Sequence, residues 1–203
     1  MLSQYRASLH GVADPIARLL LRAHVRPNHL TILGLGVSVA AAHAFFQGRF
    51  RVGAMLLAVA GLFDFFDGSL ARLAGRDSPF GAFLDSVVDR YSDLLVLLGI
   101  VLFYERSDDA VGVFFTMITL VGTVMVSYTK ARAQSVGVPC DIGLMERPER
   151  MIVLIGGGLF GLLTPAMIAL AILTNVTAVQ RILHVRRIEL GGARRPPSES
   201  GRR

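Results

Sequence analysis

Aspartates at regular spacing are the residues of this chain best suited to chemistry. Asp64 and Asp67 are three residues apart, so they lie on one face of a helix. Asp85 and Asp89 are four apart and share a face in the same way. The turn around residues 76–79 would fold the second pair back beside the first, where the carboxylates would repel one another unless cations lay between them. Oxygen ligands of this kind suit hard divalent ions, so the spacing predicts a Mg²⁺ or Mn²⁺ site.

Small and basic residues beside these acids favour phosphate chemistry. Gly68 and Ala71 share a helical face, and their small side chains would let a ligand approach the helix backbone. Arg72, one turn past Gly68, can neutralise diphosphate oxygens. Gly81 lies one turn before Asp85 and again leaves space. A pair of divalent ions can clamp the oxygens of a phosphoryl group during displacement, so a phosphoryl-transfer enzyme is predicted.

The composition requires that these residues be positioned by membrane helices. The chain has 203 residues, of which 53% are hydrophobic, yet its formal net charge is +6. Both facts are explained if apolar segments cross lipid and basic residues lie at their ends. We therefore expect the basic residues to set the topology and to contact lipid, and we expect no nucleic-acid partner. The length leaves no room for a second large domain.

Six segments are apolar enough to cross a bilayer, or nearly so, which predicts an all-α integral membrane protein with a six-transmembrane-helix bundle. They cover about 30–46, 52–73, 80–103, 110–131, 151–163 and 165–183. The fifth is short, and its three glycines from Gly156 to Gly158 indicate close helix packing or a break. Tight connections are expected at residues 47–49, 105–107 and 164–165.

Flanking segments complete the predicted organisation. Residues 12–25 alternate apolar and basic side chains at helical spacing, which indicates an amphipathic helix on the membrane interface. The membrane domain is expected to cover residues 1–188. The remaining residues, 189–203, are rich in Gly, Pro, Ser and Arg, which is typical of a disordered basic tail.

Basic residues are distributed unequally between the two ends of the predicted spans. One side carries few of them: Arg49, Arg51 and Arg106. The other side carries many more: Arg6, Arg18, Arg22, Arg26, Arg72, Arg76, Lys130, Arg132, Arg147, Arg150 and the tail. The positive-inside rule then places both termini and the aspartates at the cytoplasmic face of a multi-pass protein of the cell membrane.

The acidic segment resembles a known family. Residues 64–89 follow the pattern D-x2-D-G-x2-A-R-x8-G-x3-D-x3-D, which is similar to the full signature of the CDP-alcohol phosphotransferases. The resemblance extends in outline to six spans, an interfacial N-terminal helix and the start of the first span at residues 26–31. It implies transfer of a phosphatidyl group from CDP-diacylglycerol (CDP-DAG), or a similar CDP-lipid, to an alcohol, with release of CMP. It also implies a homodimer.

The resemblance implies roles for individual residues. Two Mg²⁺ ions, or Mn²⁺ in their place, would be held by Asp64, Asp67, Asp85 and Asp89. Asp89 would also be the general base that takes the proton of the attacking hydroxyl. The CDP-donor would be bound by two groups of residues: Gly68, Ala71, Arg72, Ser78 and Gly81, and the start of the first span at Pro27, Asn28, His29 and Leu30.

A basic cluster indicates the acceptor. The stretch around Lys130 and the Glu146 to Arg150 segment resembles the bacterial phosphatidylinositol-phosphate synthases, whose acceptor is inositol 1-phosphate. The resemblance implies an acceptor-phosphate pocket formed by Ser127, Lys130, Arg150 and Arg181. An anionic acceptor needs such a pocket because the neighbouring aspartates repel it.

The basic cluster and the aspartates also have other interpretations. Basic residues at the cytoplasmic ends of spans are expected from topology alone, and glycerol 3-phosphate would also use a cationic pocket, as in a phosphatidylglycerophosphate synthase. The aspartates could also form structural ion pairs, for example Asp89 with Arg72. A cation transporter would explain buried acids, but not the glycines and Arg72 at their spacing, and its acids would lie at mid-membrane on interrupted helices. A purely structural subunit would not need four acids.

Overall fold

The computed structural model of the chain describes Leu21 and residues 27–73 and 78–192, and every regular element in these residues is an α-helix. Six long helices follow one another: α1 (Pro27–Phe46), α2 (Phe50–Leu73), α3 (Pro79–Arg106), α4 (Ala110–Ser135), α5 (Arg147–Leu159) and α6 (Leu163–Gly192). The all-α prediction is confirmed for the described part of the chain.

Four of these helices are long and apolar enough to cross a membrane. They are α1, α2 through Leu70, α4, and α6 through Leu190. Their outward faces carry large apolar side chains that are more than half exposed, including Ile32, Phe114 and Ile172. Exposed apolar surface on this scale needs lipid rather than water beside it. The chain is therefore a membrane protein.

The remaining two helices occupy the positions of the predicted third and fifth spans. α3 has 28 residues, but charged side chains interrupt it between residues 85 and 93: Asp85, Asp89, Arg90 and Asp93. α5 has 13 residues, which is roughly 20 Å at 1.5 Å per residue and shorter than a hydrocarbon core of about 30 Å. α3 therefore differs from an ordinary apolar span in the charged residues that it carries. α5 differs in its short length, and its first turn faces those charged residues.

Helix packing leaves the acidic ends of α2 and α3 next to the first turn of α5. α1 packs against α2 and α3, α4 packs against α6 and α3, and α5 bridges α2 and α6. The core between them is built from side chains such as Phe45, Leu57, Ile100, Leu154 and Met167. This core holds the helices that carry the predicted site in fixed relation to one another.

Two of the three glycines of α5, Gly157 and Gly158, serve close packing, and the helix continues through all three without a break. A Cβ added to Gly157 would lie 2.6 Å from Cβ of Ala166, and one added to Gly158 would lie 2.9 Å from Cβ of Ala54. Both distances are shorter than an ordinary carbon contact. Glycine is therefore required where α5 touches α6 and α2.

The boundaries differ from the sequence prediction in three places. The turn between α5 and α6 lies at residues 160–162, with Gly161 at φ +72°, and not at 164–165. Pro165 instead lies in the first turn of α6, where a proline removes no helical hydrogen bond. α6 also continues to Gly192, so residues 189–192 are helical and not part of a disordered tail. The predicted interfacial helix, apart from Leu21, and residues 193–203 lie outside the described residues.

Candidate active site

Three of the predicted metal ligands form one cluster. Asp64 and Asp67 lie in the second half of α2, and Asp85 lies in the second turn of α3. One carboxylate oxygen from each comes within 4.8 Å of the other two. Three carboxylates at this separation need a positive charge between them, and their hard oxygen donors fit a divalent ion such as Mg²⁺ or Mn²⁺. The arrangement therefore fits the metal centre that the spacing predicts.

Thr31 of α1 orients one of these carboxylates. Its hydroxyl donates a 2.9 Å hydrogen bond to Oδ2 of Asp67, and both side chains are buried. A carboxyl group at this depth needs hydrogen-bond partners because burial removes its contacts with water. Sequence reasoning assigned no separate role to Thr31, although its position one turn into the first span placed it near the site.

Arg147, the first residue of α5, links Asp89 to this cluster by ion pairs. Nη1 of Arg147 lies 2.5 Å from Oδ2 of Asp64 and 3.0 Å from Oδ1 of Asp89. Burial alone would lower the pKa of Arg147, but the neighbouring carboxylates outweigh it and raise the pKa above its usual value. The guanidinium is therefore a permanent cation. Sequence reasoning counted Arg147 only among the basic residues that set topology.

A third acid on the same face of α3 holds the arginines of α5. Asp93 lies one turn past Asp89, and its Oδ2 is 2.5 Å from Nη2 of Arg150. Its Oδ1 is 3.6 Å from Nε of Arg147. Asp89 thus pairs with an arginine of α5, whereas the sequence suggested Arg72 as a structural partner. The side chains of Arg72 and Ala71 lie outside the described part of the chain, although their backbone belongs to the last turn of α2.

Several predicted donor-site residues lie together at the start of α1 and α3. Ser78 caps α3 by accepting a 3.0 Å hydrogen bond from the backbone N–H of Gly81. A Cβ on Gly81 would lie 3.1 Å from Oγ of Ser78 and 3.7 Å from Oδ1 of Asn28. Gly68 is exposed, and a Cβ there would meet nothing within 4 Å. The surface beside Gly68 is therefore open to a ligand, as its spacing suggested.

The other residues at the start of α1 are placed differently from one another. Leu30 is buried against Leu70 and lines a cavity with Asp64 and Asp67. His29 is exposed, and Pro27 is the first residue of the helix. The Leu30 side chain therefore lines the site and has no polar group that could bind a ligand.

The predicted acceptor residues surround one cavity of about 410 Å³. All four line it: Ser127, Lys130, Arg150 and Arg181. Asp89 and Arg147 line the same cavity and also line the cavity that contains Asp64 and Asp67. The described structure therefore brings the basic cluster next to Asp89, although the two are far apart in sequence.

The cations of this cavity already have internal partners. Nζ of Lys130 lies 3.1 Å from Oδ1 of Asp141 and 3.5 Å from Oε1 of Glu146. The Asp141 side chain is 79% exposed, so water competes strongly for that contact. Lys130 is therefore the predicted acceptor cation whose partner can be exchanged most easily for an incoming anion.

Arg181 is held much more firmly. It is 2% exposed, and it donates to the backbone carbonyls of Val126 at 2.5 Å and Ile142 at 2.8 Å. Its third contact is with Oε1 of Glu146 at 3.2 Å. These bonds tie α6 to α4 and to the connection between α4 and α5. Arg181 therefore shapes the wall of the cavity as well as contributing charge.

Comparisons with known proteins identify relatives that match most of the length of this chain. The chain is 38% identical over 192 residues to the archaetidylinositol phosphate synthase of Methanothermobacter thermautotrophicus, covering 91% of this chain and 94% of the relative. It is 40% identical over 190 residues to the phosphatidylinositol phosphate synthase of Mycobacterium tuberculosis, covering 87% of each.

Crystal structures of the Mycobacterium tuberculosis enzyme share the fold. The structure with CDP-DAG bound has a TM-score of 0.79 at 38% identity and covers 86% of this chain and 93% of the other. The structure with manganese and citrate has a TM-score of 0.80 at 38% identity and covers 86% and 88%. Residues 24–185 match the sequence profile described as CDP-alcohol phosphatidyltransferase. This match spans both acidic pairs and the basic cavity, and the chain belongs to the CDP-alcohol phosphatidyltransferase family.

Proposed function

We propose that the chain is a phosphatidylinositol phosphate synthase, which transfers the phosphatidyl group of CDP-DAG to inositol 1-phosphate and releases CMP. The observation that carries the proposal is the cavity that joins the four predicted acceptor side chains to Asp89. The names of the relatives support it, since both compared synthases make an inositol phosphate lipid.

The donor would bind where the small residues leave the backbone accessible. Gly68 and Gly81 give the diphosphate access to α2 and to the start of α3, and Arg72 supplies a positive charge. Ser78, Asn28 and their neighbours at the start of α1 would hold the nucleotide. Asp64, Asp67, Asp85 and Asp89 would bind two Mg²⁺ or Mn²⁺ ions. When bound, the ions neutralise the diphosphate and stabilise the negative charge on departing CMP.

Asp89 is the proposed general base. It lies between the carboxylate cluster and the acceptor cavity, so it can accept the proton of an acceptor hydroxyl as that oxygen attacks the lipid-side phosphorus. A new bond forms between the hydroxyl oxygen and this phosphorus. The bond from the same phosphorus to the bridging oxygen breaks, and CMP leaves with that oxygen.

The acceptor phosphate would bind to the basic wall of the cavity. Lys130 exchanges its exposed partner Asp141 for the phosphate, and Ser127, one turn before it, donates a neutral hydrogen bond. Arg150 and Arg181 add positive charge from the far wall. This charge offsets the repulsion between the aspartates and an anionic substrate. Serine, a neutral acceptor, would gain little from it.

The lipid tails of the donor form a separate part of the proposal. One compared relative is named for an archaetidyl lipid and the other for a phosphatidyl lipid. We assign CDP-DAG to this chain and treat the archaeal CDP-lipid as the competing donor. Assays with both donors at matched detergent ratio decide between them, and a higher kcat/KM for the archaeal lipid would reverse the assignment.

The proposed topology has six spans, with both termini and the active site on the cytoplasmic side of the cell membrane. α3 is long enough to cross, and α5 would lie in the bundle, where neighbours cover its ends. Labelling of introduced cysteines tests this, because Cys140 is the single native cysteine and is buried. Ser107→Cys should react with an impermeant reagent from outside, and Ser135→Cys should not. The reverse pattern would invert the topology.

A homodimer is also part of the proposal, and it is supported by the family alone. Light scattering of the purified protein, corrected for bound detergent, should give twice the chain mass. A single-chain mass would contradict the dimer without affecting the catalytic proposal.

The decisive experiment measures CMP release from CDP-DAG with Mg²⁺ or Mn²⁺ and one acceptor at a time. Inositol 1-phosphate should give the highest kcat/KM, followed by glycerol 3-phosphate, with inositol and serine near background. Preference for glycerol 3-phosphate would make the chain a phosphatidylglycerophosphate synthase. No CMP release, together with cation flux into liposomes, would favour a transporter, although α2 and α3 run uninterrupted through their acids.

A further inference from the structure

One guanidinium nitrogen links two of the proposed metal ligands. Nη1 of Arg147 contacts Oδ2 of Asp64 at 2.5 Å and Oδ1 of Asp89 at 3.0 Å. The Arg147 side chain is 17% exposed, so little water screens these contacts. The bridge joins a proposed metal ligand on α2 to a proposed metal ligand on α3.

The ion and Arg147 would need the same two carboxylates. A carboxylate oxygen that accepts a charged hydrogen bond at 2.5 Å has less electron density and less room for a metal ion. A divalent ion near Asp64 would also be repelled by the adjacent guanidinium, and this repulsion is strong where water is scarce. Metal binding at Asp64 and Asp89 and the intact Arg147 bridge therefore oppose each other.

Arg147 has an anchor that does not depend on these two ligands. Its Nε has no hydrogen-bond partner, but it lies 3.6 Å from Oδ1 of Asp93, which is an ion-pair distance, and Asp93 is itself held by Arg150 at 2.5 Å. Asp93 lies one turn beyond Asp89 and outside the proposed ligand set. The head of the Arg147 side chain can thus leave Asp64 and Asp89 while Asp93 keeps the side chain charged and partnered.

The cavities give the displaced guanidinium a place to go. Arg147 lines both the cavity of the carboxylates and the larger cavity of the acceptor residues. A rotation about its outer bonds moves positive charge from the first cavity toward the second. Such a movement would clear the metal ligands and leave the base, Asp89, free.

We infer that Arg147 is an internal counter-cation that holds Asp64 and Asp89 together until divalent ions bind, and that it limits metal affinity by competing for these carboxylates. The inference rests on the proposed metal centre. It assigns Arg147 a positioning role: the side chain keeps the acidic cluster assembled and sets the metal concentration at which the centre fills.

The test is direct Mn²⁺ binding to the purified protein in detergent, without substrate, by calorimetry and by the loss of the free-Mn²⁺ paramagnetic resonance signal. Arg147→Gln should bind Mn²⁺ roughly tenfold more tightly than the unmodified protein, because a unit charge beside the ion is removed. Arg147→Lys keeps the charge, but its single amino group cannot bridge Asp64 and Asp89 and contact Asp93 at the same time. Its Mn²⁺ affinity should therefore lie between those of Arg147→Gln and the unmodified protein.

Arg132→Gln is the matched control, since it removes an exposed arginine near the cytoplasmic end of α4 whose contact is with Ser135. Its Mn²⁺ affinity should be unchanged. Equal tightening in Arg132→Gln and Arg147→Gln would mean that net charge alone is responsible, and it would overturn the inference. Unchanged or weaker Mn²⁺ binding in both Arg147 variants would overturn it as well.

Thermal unfolding separates this role from a purely structural one. Without metal, Arg147→Gln should unfold at a lower temperature than the unmodified protein, and saturating Mn²⁺ should raise its Tm by a larger amount. The inference would be contradicted if Arg147→Gln had a lower Tm but showed the same Mn²⁺-induced increase in Tm as the unmodified protein. If the unmodified protein took up no Mn²⁺ at all, the metal centre and the proposed function would fail, which is a distinct result.

Discussion

Thr31 and Asp67 form a buried hydrogen bond that joins α1 to the proposed metal-ligand cluster. Oγ1 of Thr31 lies 2.9 Å from Oδ2 of Asp67. Asp67 also belongs, with Asp64 and Asp85, to the group whose carboxylate oxygens lie within 4.8 Å of one another. A residue of α1 therefore helps to orient Asp67, a proposed metal ligand on α2.

Removing this hydroxyl should weaken metal binding. In Thr31→Val the side chain keeps its shape but no longer orients Asp67, and loss of an outer partner of a metal ligand typically costs tenfold or more in affinity, so we expect roughly tenfold weaker Mn²⁺ binding. Thr31→Ser retains the donor and should bind Mn²⁺ as the unmodified protein does. Identical calorimetric affinities for the valine and serine variants would show that the hydrogen bond has no such role.

Asp89→Asn should abolish turnover while leaving the fold and donor binding largely intact. The amide cannot accept the hydroxyl proton, and general-base catalysis contributes about 10²–10⁴-fold, so kcat should fall by at least about 100-fold. Single-turnover CMP release measures the chemical step, and CDP-DAG binding is measured separately. Asp108→Asn is the control, because it makes the same change in the turn between α3 and α4. A near-normal rate in Asp89→Asn would refute the base assignment.

Lys130→Gln should affect the acceptor far more than the donor. Loss of one phosphate-binding cation should raise KM for inositol 1-phosphate by about tenfold, with little change in KM for CDP-DAG. Initial rates with each substrate varied in turn give both constants. Arg132→Gln removes a charge from the same helix but outside the cavity, and it should change neither constant. Equal increases in both KM values for Lys130→Gln would count against the acceptor pocket.

Two neighbouring glycines of α5 should respond oppositely to alanine. Gly157→Ala places a Cβ 2.6 Å from Ala166 and 3.2 Å from the carbonyl oxygen of Leu162, so stability should fall by about 1–3 kcal/mol. Gly156→Ala meets nothing within 4 Å, and the higher helix propensity of alanine should raise stability slightly. Thermal unfolding in detergent compares them. Equal Tm values would show that α5 does not pack on α6 as described.

The chemistry could be predicted from the sequence to the extent that it is local. Helical spacing placed Asp64 with Asp67 and Asp85 with Asp89, because side chains three or four residues apart always share a face. The small residues Gly68 and Gly81 followed from the same reasoning. These features depend only on helix geometry, so no tertiary information was needed.

The contacts that the sequence did not predict all join distant segments. Arg147 resembled the other arginines at the helix ends that were predicted to be cytoplasmic, and only the path of residues 136–146 brings it back to Asp64 and Asp89. Arg181 was assigned to the acceptor from its charge, but its bonds to Val126 and Ile142 depend on how α6 packs on α4. Helix packing and an irregular connection determine these pairs, and neither leaves a periodic signal in the sequence.

The turn between α5 and α6 shows how local signals can compete. Thr164 and Pro165 suggested a break because proline interrupts a helix interior. In the first turn of a helix that penalty disappears, and Gly161 provides the left-handed conformation that the turn requires. The glycine therefore marks the turn, and the proline marks the beginning of the next helix.

The central claim is that carboxylates of α2 and α3 are held together to bind divalent ions. Calorimetric titration of Mn²⁺ into the purified protein tests it most directly. We predict saturable uptake of two ions per chain, weakened by roughly 100-fold or more in Asp67→Asn and Asp85→Asn, and unchanged in Asp108→Asn. No saturable uptake, or uptake that survives both substitutions at full affinity, would contradict the account.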